Sequence, residues 1–149
     1  MEFIKNFRYG VVAVCLLMFA SAAAQRAAKT NSVVDKIPNP KELMWKEGAE
    51  IDNMLNELGY SGDYKYSSDD TYIEYGQYTL QQNGKAVVIS FKYEEDGGYG
   101  FELKVTISGD DAALNKFYNK ALKLKEKGSS WQTDVQRNKD TVIIISGGD

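Results

Sequence analysis

Ser90 and Lys104 are the first residues here that invite a chemical reading, because a serine beside a lysine can form a nucleophile and its base. The hairpin register derived below makes them cross-strand neighbours. That lysine would have to be desolvated to lose its proton, and an open sheet face does not desolvate it. Carboxylates offer a second chemistry. Glycoside cleavage needs two of them about 5 to 9.5 Å apart inside a cleft. Glu74 is expected near one end of the sheet on its inward side. Glu102 is expected outward, facing Lys92 as an ordinary cross-strand ion pair. No second acid is placed beside Glu74 in an evident cleft.

Absences narrow the field further. The chain of 149 residues has no histidine, and its single cysteine, Cys15, lies in an apolar run near the N-terminus. Lys5 and Arg8, then Val11 to Ala20, then Ser21 to Ala24 read as a basic start, an apolar core and a small-residue cleavage site. The expectation is a signal peptide over residues 1–24, cleaved near Ala24, and a periplasmic or secreted product. About ten apolar residues fall short of the roughly 20 that span a bilayer, so no stable membrane anchor is expected. Cys15 follows Val14 and sits inside the apolar run, which argues against lipid attachment. Loss of the signal leaves a chain without thiol or imidazole. That excludes disulfides, Cys/His zinc sites, thiolate nucleophiles and histidine bases.

Charge adds little. Without Glu2, Lys5 and Arg8 there remain 16 basic and 20 acidic residues, so nucleic acid is not an expected partner. The acidic groups Asp69-Asp70, Glu94-Glu95-Asp96 and Asp110-Asp111 lack the alternating spacing of a calcium loop. No metal and no cofactor is expected. Lys116, Lys120, Lys123 and Lys127 form a stripe on the second helix, read as a solvated face whose cations complement the helix C-terminus.

Local signals supply the elements. Residues 25–37 are polar, small and aperiodic, a flexible leader, and 38–149 read as one domain. Asn39, Pro40 and Glu42 carry the marks of an N-cap, a first helical position and a capping-box acid. Met44, Gly48, Ile51, Leu55 and Leu58 draw one helical stripe that ends at Gly59. Gly48 costs about 1 kcal/mol inside a helix, and its bare backbone lets the helix lie close to a sheet. Residues 60–70 read as a loop with a short strand at Tyr64 to Tyr66.

Asn83-Gly84 is a strong two-residue hairpin signal. It pairs Leu80 with Val87, Tyr78 with Ile89 and Gly76 with Phe91, whose ring covers the missing side chain. At Asp96-Gly97-Gly98 a three-residue loop pairs Tyr93 with Phe101, Phe91 with Leu103, Ile89 with Val105 and Val87 with Ile107. A two-residue loop would scramble the faces. Asp110 caps a second helix from Asp111 to about Lys127, with Leu114, Phe117, Ala121 and Leu124 inward. Two more strands turn at Asn138-Lys139 and place Trp131, Val135, Val142 and Ile144 on one face. The expected fold is α+β: a single antiparallel sheet of about five strands, in the order α-β-β-β-α-β-β, with two helices on one face. No motif marks a known family.

That register also defines candidate binding residues. Val142 to Ile145 is apolar at every position, so Ile143 and Ile145 fall on the face away from the helices, with Val88 and Tyr75. Such a patch calls for a cover, from the leader, a partner or a second copy of the chain. Six of the nine tyrosines after residue 24 fall between Tyr60 and Tyr78, and Tyr64 and Tyr66 are candidates for an interface or for stacking on sugars. The functional expectation is a small exported, non-catalytic binding protein of the bacterial envelope, meeting another envelope protein or an extracellular polymer, with a homodimer as a further arrangement. The alternatives are a carboxylate-dependent hydrolase of envelope polysaccharide and a subunit of a larger envelope assembly.

Overall fold

The computed structural model describes residues 33–67, 72–95, 99–125 and 132–148. The signal peptide, most of the leader, Asp69-Asp70, the Asp96–Gly98 turn, Lys127, Gly128 and Trp131 lie outside the described residues. Of the unit Met1–Asp35 the described part opens a 3-10 turn, Val33–Lys36; the second unit, Lys36–Asp149, holds the sheet.

Asn39 caps the first helix, α1 (Pro40–Leu43), by the expected capping box. Its Oδ1 accepts from the Lys41 N–H at 3.2 Å, and Glu42 accepts from the Asn39 N–H at 3.0 Å. The helix does not run on as the stripe suggested. Met44 is extended, Trp45 takes φ 62°, and a second helix, α2 (Gly48–Glu57), starts afresh. Gly48 therefore stands in the first turn, where glycine costs less than in mid-helix. The close approach expected of it is present: a Cβ there would lie 2.7 Å from Tyr64 Cδ2 and 3.0 Å from Glu74 Oε2. Gly59 ends α2 at φ 87°, with its N–H on Asn56 O and the Tyr60 N–H on Leu55 O. Those two bonds make a Schellman cap.

Six strands, not five, form one antiparallel sheet: β1 (Ser61–Ser67), β2 (Tyr72–Gln82), β3 (Lys85–Glu95), β4 (Tyr99–Ser108), β5 (Gln132–Asn138) and β6 (Thr141–Gly148). Their spatial order is β1-β2-β3-β4-β6-β5. The chain order is α-α-β-β-β-β-α-β-β, which corrects the expectation by one strand and one helix. The added strand, β1, was read as mostly loop because SGDYKYS has no aliphatic alternation. It is an edge strand, exposed at six of seven positions. Its tyrosines, not aliphatics, carry the inward side.

Both long hairpins take the expected register, from Gln82↔Lys85 to Gly76↔Phe91 and from Glu95↔Tyr99 to Val87↔Ile107. Asn83 and Gly84 both have positive φ, 53° and 74°, as a type I′ turn requires. The last hairpin turns one residue later than expected, since Asn138 pairs with Thr141. That shift moves the pairing by two residues, so Val135 still shares a face with Ile144.

The third helix, α3 (Asp111–Lys125), packs on β4, β5 and β6, while α2 packs on β1 and β2. The helix-covered face holds the core, with Tyr78, Ile89, Leu103, Val105, Val142 and Ile144 fully buried. Asp110 caps α3, its Oδ1 accepting from the Ala113 N–H at 2.9 Å and its Oδ2 taking the Lys85 ammonium at 2.5 Å. The lysine and the amide hold the Asp110 carboxyl below the usual aspartate value. Among the described residues no helix is long and apolar enough to cross a membrane.

Candidate functional site

One end of the inner sheet face departs from the aliphatic pattern. The pairings Tyr66↔Glu74, Glu74↔Tyr93 and Tyr93↔Phe101 line up a row of aromatic rings around one acid. The break between α1 and α2 lies over this row. Trp45, half exposed, sets its ring 5.7 Å from the buried Phe101 ring. A bulky residue in the left-handed region costs on the order of 1 to 3 kcal/mol, and such strain gathers at functional sites.

Trp45, Lys46, Glu47, Tyr72, Glu74 and Tyr93 line a cleft of about 310 Å³. Glu74 sits at its base, buried to 8% exposure. Glu74 Oε2 accepts from the Gly48 N–H at 2.7 Å, and Oε1 accepts from the Tyr72 hydroxyl at 2.5 Å. Glu47, the N-cap of α2, makes no side-chain cap bond, so Glu74 supplies from the underlying strand β2 the carboxyl acceptor that a helix N-terminus favours. Its hydrogen bond to Glu74, helped by burial and by the nearby Glu47 charge, pushes the Tyr72 phenol up to about 12. The Tyr72 and Tyr93 rings meet edge to face, 5.9 Å apart and 72° inclined.

The residues expected at a site divide between the two faces. Tyr64 lies on the inner side against Gly48, and Tyr66, 67% exposed, stands beside Glu74. Tyr75, Val88, Ile143 and Ile145 are on the outer face, as the register implied. They are not brought together. Ile143 is flanked by Lys104 and Gln136, and Ile145 by Glu102 and Asp134. Val88 lies two strands from Ile143, and Tyr75 lies three strands from Ile145, at roughly 4.8 Å per strand. A groove of about 370 Å³ on this face takes in Tyr75 together with Lys65, Ser90, Phe91, Lys92 and Glu102, but not Val88, Ile143 or Ile145. Lys92 does stand across from Glu102, but its ammonium bridges Glu94. Ser90 is paired with an exposed Lys104, on the open face expected for both.

Trp45, Glu47, Tyr72 and Tyr93 were not marked by sequence reasoning. Part of the signal was available: Tyr72 and Glu74 are two apart on β2, and the hairpin register already set Tyr93 opposite Glu74 on the inner face. Trp45 gave no such signal, because an unbroken helical stripe placed it mid-helix. Among the described residues no cluster of acidic side chains could hold a metal ion. The chain has no significant match among protein-family models, curated proteins or solved structures.

Proposed function

We propose that this is a small exported, non-catalytic binding protein of the bacterial envelope, and that it takes its ligand in the Trp45–Tyr72–Tyr93 cleft. The observation that carries this reading is the coincidence, in one concavity, of a strained and half-exposed tryptophan, two inclined tyrosines and a buried acid. A cleft of about 310 Å³ suits one sugar-sized or headgroup-sized moiety. A group of that size displayed on an envelope protein or an extracellular polymer would fit it. Glu47 does stand in the same cleft as Glu74, the second acid a hydrolase would use, but both Glu74 oxygens are held by protein donors, the Gly48 N–H and the Tyr72 hydroxyl, which places Glu74 as an anchor rather than as a reacting group. The outer face is the weaker candidate, since its apolar side chains are separated by charged ones.

Affinity capture from an envelope fraction tests the choice of surface. Trp45→Ala should lose what the unaltered protein retains, while the double variant Ile143→Ser, Ile145→Ser should retain it. The reverse pattern would transfer the site to the back of the sheet.

A further inference from the structure

Resting on the cleft as the binding site, the geometry points to an organic ammonium group, primary or quaternary, as the moiety the cleft receives. Its walls are aromatic and its fixed charge is negative, which is the environment that attracts a cation through ring faces. The Tyr72 and Tyr93 planes are inclined at 72°, and Trp45 approaches from the α1–α2 connection. Rings set at such angles wrap a compact, rounded group better than they support a flat sugar face, which stacks on a single plane.

Electrostatics favours the same ligand. Glu74 forms the base and the exposed Glu47 lies on the rim. Among the described residues lining the cleft, Lys46 is the one cation, and its ammonium lies 3.6 Å from Glu50. The described hydrogen-bond partners of Glu74 are an amide N–H and a phenol, neither with a full positive charge. An incoming ammonium would supply that charge. The raised Tyr72 phenol value agrees, because both carboxylates act on the ring that forms one wall. At working pH Tyr72 stays protonated and remains the donor to Glu74 Oε1.

Two sources carry this chemistry, a choline-type headgroup and the free amine of an amino sugar. Titration calorimetry of the purified protein at pH 7 separates them, using choline, glucosamine, uncharged 3,3-dimethylbutanol and the neutral sugar N,N′-diacetylchitobiose as probes. The expected result is that choline or glucosamine binds roughly tenfold or more tightly than either neutral probe. The stronger of the two identifies the source. Binding should weaken several-fold in 0.5 M salt as screening grows. Glu47→Gln, which removes a rim charge without touching a described hydrogen bond, should weaken binding about two- to fourfold, and Trp45→Ala should weaken it about tenfold. Thermal unfolding of each variant confirms that it is folded. N,N′-Diacetylchitobiose binding as well as the amines, with sensitivity to Trp45→Ala, would overturn the ammonium assignment and leave the cleft in place. Amine binding unchanged by both substitutions, or no binding by any probe, would overturn the ammonium assignment and the cleft together.

Discussion

Helix α3 meets β4, β5 and β6 through Ala113, Leu114, Phe117 and Ala121, all buried, opposite a sheet surface of Leu103, Val105, Val142 and Ile144. Helix α2 meets β1 and β2 differently. It buries Ile51 and Leu55, but its position is tied by polar bonds, Tyr78 hydroxyl to Asp52 at 2.5 Å and Gly48 N–H to Glu74. The first flank resembles an ordinary core, where apolar burial at about 25 cal/mol per Å² supplies the stability. The second spends part of its contact surface on hydrogen bonds that fix direction rather than add much net stability. A helix held by directional bonds at its N-terminus leaves the neighbouring cleft open and shaped. One flank holds the sheet together, and the other holds a binding geometry in place.

The sharpest way to break this contrast is to cut into each flank. Phe117→Ala removes a large buried ring from the α3 side and should cost about 3 to 5 kcal/mol in urea unfolding. While the variant remains folded, its affinity for cleft probes should be unchanged. A comparable loss of affinity per folded molecule would show the flanks to be energetically coupled.

A smaller effect separates the flanks by pH. Asp110 belongs to the α3 side, and its lowered value means that its stabilisation is fully present above the usual aspartate value of 3.8 and is lost as pH falls below it. Asp110→Ala should cost about 1 kcal/mol at pH 7 through the lost cap, with the difference from the parent shrinking on acidification below 3.8. Tyr72 belongs to the cleft and is raised, so its contribution is fully present below pH 10 and lost as pH climbs through about 12. Tyr72→Phe should flatten the alkaline limb between pH 10 and 12. Part of the loss in that window would remain, because burial also raises the phenols of Tyr60 and Tyr78, whose contributions likewise begin to fall above pH 10. Circular dichroism across both limits reads the two effects separately.

Why one flank was readable and the other was not follows from the kinds of signal each uses. Asn83-Gly84 leaves little choice of turn, and requiring one clean apolar face then selected the three-residue loop beyond Glu95; the observed pairs follow from those two local facts. The Asn39 capping box and the Leu114, Phe117, Ala121 stripe are equally local. The α2 flank depends on contacts that sequence spacing does not reveal. The stripe from Met44 to Leu58 fits one helix by periodicity, but Trp45 docking on Phe101 and Gly48 docking on Tyr64 and Glu74 break it. Strand β1 escapes a pattern search because its inward residues are Gly62, Tyr64 and Tyr66. The cleft was hidden for the same reason: half of its wall comes from the connection created by that break.

Backbone amide and indole chemical shifts of the isotope-labelled protein, recorded with saturating choline and separately with N,N′-diacetylchitobiose, test the placement of the site most directly. The account predicts that whichever probe binds perturbs Trp45, Glu47, Tyr72 and Tyr93 while Tyr75, Val88, Ile143 and Ile145 stay still. Perturbations centred on those four outer-face residues, with the Trp45 indole unmoved, would contradict it.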